Sequence, residues 1–219
     1  LNAPNIIDKQ TSRDGTRKYI LEFEDGNTVE TVGMPSFSEL GEEGRLSVCF
    51  STQVGCPMGC EFCATGKEGF TRNLTASEMI DQIIAVKNDF NHRVSNLVAM
   101  GQGEPFLNYD ELLTALRFLN DQNGPSIGAR HITISTCGLI DGINQLAQEP
   151  EQFTLAISLH SAIKEKRDEL MPTMRSQTLP MLKSALSAYI EKTNRRVTLE
   201  YLLIEGLNDG HEDLAALKK

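Results

Sequence analysis

The stretch LSVCFSTQVGCPMGCEFC, residues 46–63, predicts a β-strand that leads directly into a cysteine-rich loop. Residues 46–53 are predicted to form the strand. The loop carries Cys56, Cys60 and Cys63 with the spacing C-x3-C-x2-C, so it offers three thiolates and no fourth. In parallel α/β folds the carboxyl ends of the strands form the ligand-binding edge, so this stretch favours such a fold.

Three cysteines in this spacing favour an iron–sulfur cluster. A cubic cluster held by three cysteines leaves one iron free to bind the amino and carboxylate groups of S-adenosylmethionine. A structural zinc site needs four ligands, and the fourth would have to come from Cys49, Cys137 or His160, without a second paired motif. A zinc-stabilised binding module is therefore the less supported alternative.

Composition limits the remaining possibilities. The 219 residues carry a net charge of −9, which argues against a large nucleic-acid surface, although Lys67, Arg72 and Arg93 could form a local basic patch. Five cysteines, three of them crowded together, indicate a metal site in a reducing compartment such as the cytoplasm. No apolar run approaches the roughly 20 residues that span a bilayer. Because the chain starts at Leu1 and ends within an apparent helix, we expect a fragment of a longer protein.

The chain predicts a small β element followed by alternating strands and helices. Residues 18–24 and 28–34 flank the turn signal Asp25-Gly26-Asn27, so residues 1–45 are predicted to form a β-hairpin and its connection. Residues 46–219 predict five strand-then-helix units, with strands at residues 46–53, 96–100, 131–136, 153–159 and 196–204. This alternation implies an α/β fold with a parallel sheet, either open or closed into a barrel.

Two of the predicted helices have capping signals. Thr75 and Glu78 form a capping box that opens a helix ending near residue 90, and Asn108 and Glu111 are expected to open the next helix in the same way. Further helices are predicted at residues 140–148, 163–170, 179–192 and from residue 209 onward.

Polar residues follow several predicted strands at one edge of the sheet. Gly103-Glu104-Pro105, Ser135 and Ser158-Leu159-His160 each stand at a strand end, as the cysteine loop does. Because these ends converge in a parallel fold, we expect one site there, with the Glu104 carboxylate accepting hydrogen bonds from an ammonium group. Serines that cap helices and a core histidine are the ordinary alternatives.

Three other residues are weaker candidates. Cys49 lies on the entering strand, where a cysteine is normally a core side chain. Cys137 is better explained as a small buried side chain than as a ligand. Glu30 has the position of an exposed hairpin residue.

The same residues resemble those of a known enzyme family. Residues 46–56, 60–63, 69–74, 101–105, 134–136 and 158–160 are similar, in order, to the RlmN/Cfr family of radical S-adenosylmethionine (SAM) RNA adenine methyltransferases. The resemblance covers nearly the whole chain. It implies an incomplete, TIM-like (βα)6 radical SAM barrel with a small N-terminal element, and a [4Fe-4S] cluster and SAM as cofactors.

The resemblance also implies roles for individual residues. Cys56, Cys60 and Cys63 would bind the cluster. Cys49 would resolve a covalent protein–RNA intermediate by forming a disulfide, and Glu30 would accept a proton. The residues that would bind SAM are Gly103, Glu104, Ser135, Ser158, Leu159 and His160.

The implied activity is methylation of C2 of an adenine in 23S rRNA and of an adenine beside the tRNA anticodon. A radical made from one SAM would activate a methyl group carried by a C-terminal cysteine, and that carbon would add to the base. This cysteine and the sixth strand are expected after residue 219, so we expect the fragment alone not to methylate RNA.

The resemblance implies 23S rRNA, tRNA and an electron donor such as flavodoxin as partners of a monomeric protein. Two alternatives stay open. A Cfr-type enzyme would methylate C8 of the rRNA adenine instead. A radical activase would make a glycyl radical on a partner protein, but it would leave Cys49 without a role.

Overall fold

The computed structural model describes residues 4–36 and 44–218. In this part of the chain, eight strands form one open sheet and two short strands form a separate antiparallel ribbon. The strands and helices, in chain order, are β1 Asn5–Thr11, β2 Arg17–Glu22, β3 Thr28–Pro35, β4 Leu46–Cys49, β5 Gln53–Gly55, α1 Ala64–Glu68, β6 Phe70–Asn73, α2 Ala76–Phe90, β7 Val94–Ala99, α3 Tyr109–Asn120, β8 Ile132–Thr136, α4 Ile140–Leu146, β9 Thr154–Ser158, α5 Lys164–Leu170, α6 Leu179–Thr193, β10 Val197–Glu200 and α7 His211–Leu217.

The large sheet has an antiparallel part and a parallel part. Strands β1 to β4 are antiparallel neighbours, whereas β4, β7, β8, β9 and β10 are parallel neighbours in that order. Each of these five parallel strands is followed by at least one helix before the next parallel strand or the end of the described chain. The predicted α/β fold with five strand–helix units of a partial barrel is confirmed.

The N-terminal element contains more than the predicted hairpin. The hairpin is present as β2 and β3, but β1 adds an unpredicted antiparallel strand. All seven residues of β1 are exposed, so its sequence lacks the apolar alternation that signals a half-buried strand. On its other side β3 pairs with β4, with Val32 opposite Cys49, so these strands extend the main sheet. The division at residue 45 stays a prediction.

The helix caps agree with the sequence at α2 and differ at α3. The capping box between Thr75 and Glu78 is present and opens α2, which buries Met79, Ile83 and Val86 against the sheet. The predicted cap by Asn108 is wrong, because its side-chain amide instead donates to the carbonyl oxygens of residues 52 and 74. None of the helices in the described part of the chain is long and apolar enough to cross a membrane.

Two predicted strands are shorter than expected. The strand predicted over residues 46–53 ends at Cys49, because the Gln82 side chain accepts from Ser51 N at 2.8 Å and donates to Ser51 O at 3.0 Å. The strand predicted over residues 196–204 ends at Glu200. Beyond it, the Asn208 side chain bonds the backbone of Ile204 and residue 202 in place of a neighbouring strand.

Candidate active site

Backbone contacts fold the cysteine loop back on itself. Cys56 N donates to Gly69 O at 2.8 Å, and Cys63 N donates to Cys60 O at 3.0 Å. Gly55 has a φ of +73°, and a Cβ atom there would lie 2.0 Å from the Gly69 carbonyl oxygen. Only glycine fits at this position.

The cysteine loop packs under apolar side chains from α5 and the segment that follows it. Leu170, Met171 and Met174 pack with the buried Cys60, and the partly exposed Cys56 and Cys63 border the same cluster of side chains. Within residues 4–36 and 44–218, no three His, Cys, Asp or Glu side chains are already arranged to hold a metal ion. The fold therefore brings the three thiols together without forming a closed metal site.

The thiols around this loop differ in acidity. Burial raises the pKa of Cys56 to about 11, and the neighbouring Cys60 and Glu104 contribute to the increase. The Cys137 thiol donates a hydrogen bond to Cys60, which lowers the pKa of Cys60 and raises the pKa of Cys137 well above its usual value. Cys137 packs against the apolar cluster of side chains at this loop and also contacts Cys60, a predicted cluster ligand.

Glu104 is a buried carboxylate just beyond β7. It is 1% exposed, and its two oxygens accept hydrogen bonds from Phe106 N at 3.1 Å and from Cys137 N at 2.7 Å. Burial raises the pKa of Glu104, and these hydrogen bonds oppose the increase. The carboxylate is therefore held in a fixed orientation, where an ammonium group of a ligand would neutralise its charge.

The backbone before Glu104 approaches the segment after β4 closely. Gly103 has a φ of +101°, and a Cβ atom there would lie 2.7 Å from the Cβ of Gln53. Glu104 N donates to the Gln53 side chain at 2.9 Å, and Gln102 N donates to the Ser51 hydroxyl at 2.9 Å. These contacts hold the segment after β7 against the segment that leads from β4 to the cysteine loop.

Glu200 is a candidate site residue that the sequence does not predict. Its carboxylate accepts hydrogen bonds from the hydroxyls of Ser135 at 2.7 Å and Ser158 at 3.3 Å. The two predicted serines therefore do not cap helices, and they meet at one carboxylate on the last parallel strand. Glu200 lies in the middle of the strand predicted over residues 196–204, and no motif surrounds it, so the sequence carries no local signal for its role.

The His160 ring is neutral and accepts a hydrogen bond from the segment after β10. Its Nδ1 accepts from Leu202 N at 3.1 Å, and its backbone has a positive φ of 53°. Burial lowers the pKa of His160, which favours the neutral imidazole that can accept at Nδ1. The ring packs edge-on against Phe62 of the cysteine loop at 4.6 Å, while Leu159 is buried in the main core.

Cys49 and Glu30 lie on neighbouring strands. Cys49 ends β4, and burial raises its pKa to about 11. The Glu30 carboxylate is partly exposed, as its hairpin position suggested, and forms an ion pair with Lys18 at 2.8 Å. The Glu30 carbonyl oxygen accepts from the Ser51 hydroxyl at 2.6 Å, which ties β3 to the segment that follows Cys49.

Two residues of the predicted basic patch have structural partners. Arg72 forms ion pairs with Asp25 at 2.6 Å and Glu78 at 2.8 Å, which join the hairpin turn to the start of α2. Arg93 donates to the carbonyl oxygen of residue 126. Lys67 is an exposed member of this patch and has no ion pair among the described residues.

Comparison with known proteins places this arrangement in a family. Residues 50–217 match the Radical SAM superfamily, and this range contains the cysteine loop and the four parallel strands that follow β4. The chain belongs to the radical SAM superfamily.

Curated relatives and a solved structure within this superfamily are similar to the chain. It is 50% identical over 213 residues, 96% of the chain and 58% of the relative, to "Probable dual-specificity RNA methyltransferase RlmN" of Nostoc punctiforme. A protein of the same name from Clostridium novyi is 44% identical, and the alignment covers 100% of this chain and 62% of that protein. A radical SAM methyltransferase from Sphaerobacter thermophilus superposes with a TM-score of 0.91 at 41% identity, over 99% of this chain and 63% of that one. The chain thus spans about three fifths of the length of these proteins.

The residues at this radical SAM site fit the cofactors that the superfamily implies. Three thiols at the cysteine loop provide the soft ligands that an iron–sulfur cluster requires. Glu104 offers a buried negative charge to the SAM ammonium, and Glu200 with its two serines offers hydrogen-bond partners to hydroxyl groups. One buried polar atom beside the loop, Nε of Arg167, has no partner among the described residues.

Proposed function

We propose that the protein methylates C2 of adenine in 23S rRNA and in tRNA beside the anticodon, as a radical SAM RNA methyltransferase. The observation that carries the proposal is Cys49, a thiol outside the cysteine loop that ends the first parallel strand, next to the segment leading to the loop. A radical activase has no use for this thiol. The printed names of the relatives, dual-specificity RNA methyltransferases, support an RNA substrate.

The cofactors would be held by the residues of the strand ends. Cys56, Cys60 and Cys63 would bind a [4Fe-4S] cluster, which supplies the electron that cleaves SAM when both are bound. Glu104 would neutralise the SAM ammonium, and Gly103 permits the close backbone approach that places it. The remaining SAM contacts would come from Ser135, Ser158, Leu159 and His160.

Cys49 would release the product from a covalent protein–RNA intermediate. Its sulfur would attack the sulfur of the methyl-carrying cysteine, so that an S–S bond forms and the S–C bond breaks. The electron pair of the broken bond stays on the carbon, which takes up a proton and becomes the methyl group of the base. Because the pKa of Cys49 is about 11, the thiol must give up its proton as it attacks. Glu30, on the neighbouring strand, would accept a proton in this sequence of steps.

The partners follow from this chemistry. The substrates would be 23S rRNA and tRNA, which places the protein in the cytoplasm. A flavodoxin-like protein would supply the electron, and the enzyme would act as a monomer.

The test uses a chimera that carries the chain within the full length of the Nostoc punctiforme relative. The cluster is reconstituted without oxygen, and the chimera is incubated with SAM, a reductant and rRNA or tRNA fragments. Mass analysis of the digested RNA should show 2-methyladenosine. The Cys49→Ala chimera should instead accumulate a protein–RNA adduct that is stable to denaturation.

The outcomes separate the candidate functions. If 8-methyladenosine forms, the Cfr-type reaction is the correct one. Stoichiometric zinc without iron after reconstitution would overturn the radical reaction altogether. Full turnover by the Cys49→Ala chimera would refute the role of Cys49, and methylation by the chain alone would refute the need for a cysteine beyond residue 219.

A further inference from the structure

Arg167 is a buried cation without a carboxylate partner in the described part of the chain. It lies on α5 and is 2% exposed. One guanidinium nitrogen donates to Cys137 O at 2.8 Å, whereas Nε is buried without an acceptor. None of the ion pairs among residues 4–36 and 44–218 includes Arg167. A buried charge with no counter-charge is strongly unfavourable, so the guanidinium requires a negative partner.

The surroundings of Arg167 show where such a partner belongs. The adjacent Asp168 is committed elsewhere, since its carboxylate pairs with Lys164 on the outer face of α5. Arg167 interacts electrostatically with Cys137, Asp168 and Cys60, and the two thiols lie under the same apolar side chains as the cysteine loop. The guanidinium therefore stands beside the sulfur atoms of the predicted cluster site.

We propose that Arg167 sets the reduction potential of the cluster held by Cys56, Cys60 and Cys63. Reduction adds one negative charge to a buried group, and a nearby cation stabilises the reduced form more than the oxidised form. Arg167 therefore raises the potential and makes the cluster easier to reduce. This role rests on the cluster of the proposed function.

The charge, rather than the volume, of Arg167 is what the site requires. The Arg167 side chain is buried, and a methionine at this position would be of similar length and would carry no charge to desolvate. Such a substitution would remove the desolvation penalty of the guanidinium and would lose its hydrogen bond to Cys137 O. Retention of a buried guanidinium at this place is explained by a functional counter-charge.

The experiment measures the midpoint potential of the reconstituted cluster in four proteins by EPR-monitored redox titration, without SAM. They are the wild-type chain, Arg167→Met, Arg167→Lys and, as a matched control, Arg175→Met. Arg175 is an exposed arginine eight positions further along the chain, where solvent screens the charge. Iron and sulfide contents and thermal unfolding are recorded for each protein.

The expected result is specific to charge. Arg167→Met should lower the equilibrium constant for reduction about tenfold or more, a fall of about 59 mV per tenfold for one electron. Arg167→Lys should restore most of the wild-type potential, and Arg175→Met should not change it. An unchanged potential in Arg167→Met, or equal shifts in the Met and Lys variants, would overturn the proposal.

Two further outcomes are informative. If Arg167→Met takes up no cluster, the wild-type chain and Arg167→Lys are labelled with 15N in arginine, reduced and measured by pulsed EPR. The wild-type chain must show a nitrogen coupling that Arg167→Lys lacks. Absence of this coupling would also refute the role of Arg167. If the wild-type chain itself binds no iron, the proposed function fails. If the cluster is present but its potential does not change in the Arg167 variants, only the proposed role of Arg167 fails.

Discussion

Replacement of Glu104 by glutamine should weaken SAM binding by roughly 10- to 150-fold. The carboxylate is 1% exposed and is held by two backbone N–H groups at 2.7 and 3.1 Å, so a bound ammonium would form a charge-assisted hydrogen bond there, away from water. Such bonds contribute about 1.5–3 kcal/mol, and every 1.4 kcal/mol changes affinity about tenfold. The glutamine amide would also direct its NH2 group towards an N–H donor or towards the ammonium.

Equilibrium dialysis of labelled SAM against the cluster-loaded chain would measure this effect. Methylthioadenosine, which lacks the amino-acid portion of SAM, should bind the wild-type chain and Glu104→Gln equally. Glu111→Gln is the matched protein control, because Glu111 also accepts a backbone N–H but lies exposed at the start of α3. Equal losses of affinity for SAM and for methylthioadenosine would mean that the substitution damages the fold, and unchanged SAM affinity would show that Glu104 does not bind the ammonium.

Three further predictions concern residues around this site. The rate of Cys49 alkylation by iodoacetamide, followed by peptide mass analysis, should rise roughly tenfold per pH unit up to a pKa of about 11, because burial suppresses the thiolate. A rate that reaches a plateau near pH 8.5 would contradict this. Gly103→Ala should lower the free energy of unfolding by about 2–5 kcal/mol, because φ at this residue is +101° and the new Cβ would lie 2.7 Å from the Gln53 side chain. A denaturation midpoint near that of the wild-type chain would refute the close approach. Glu200→Gln should weaken binding of SAM and of methylthioadenosine alike, because Glu200 accepts hydrogen bonds from the hydroxyls of Ser135 and Ser158, which we propose to bind the adenosyl portion; an effect on SAM alone would place Glu200 at the amino-acid portion.

The parts of the site that the sequence predicts depend on local information. The cysteine spacing, the capping box of α2 and the polar residues at strand ends are each contained in a few consecutive residues, and parallel topology then brings the strand ends to one edge. The break after Cys49 was missed because Gln82 causes it, 31 positions after Ser51, through hydrogen bonds that no local pattern encodes.

The same limit explains Glu200 and Arg167. A glutamate inside an apolar run has no motif, and its role becomes visible only when β8, β9 and β10 align Ser135 and Ser158 beside it. Arg167 lies in a helix rich in charged residues, where the sequence favours an exposed side chain. Its burial depends on the apolar side chains packed over the cysteine loop, which is a tertiary property.

Cys137 makes the site a single electrostatic unit. Its N–H donates to Glu104, its carbonyl oxygen accepts from Arg167 and its thiol donates to Cys60. One residue thus contacts the predicted ammonium subsite, a buried cation and a predicted cluster ligand. Because Glu104, Arg167 and Cys60 are buried, a new charge at any of them is poorly screened at the others. SAM binding and cluster reduction should therefore be coupled. Thermodynamic linkage makes this coupling reciprocal. The shift of the reduction potential when SAM binds must equal, in free energy, the change of SAM affinity when the cluster is reduced.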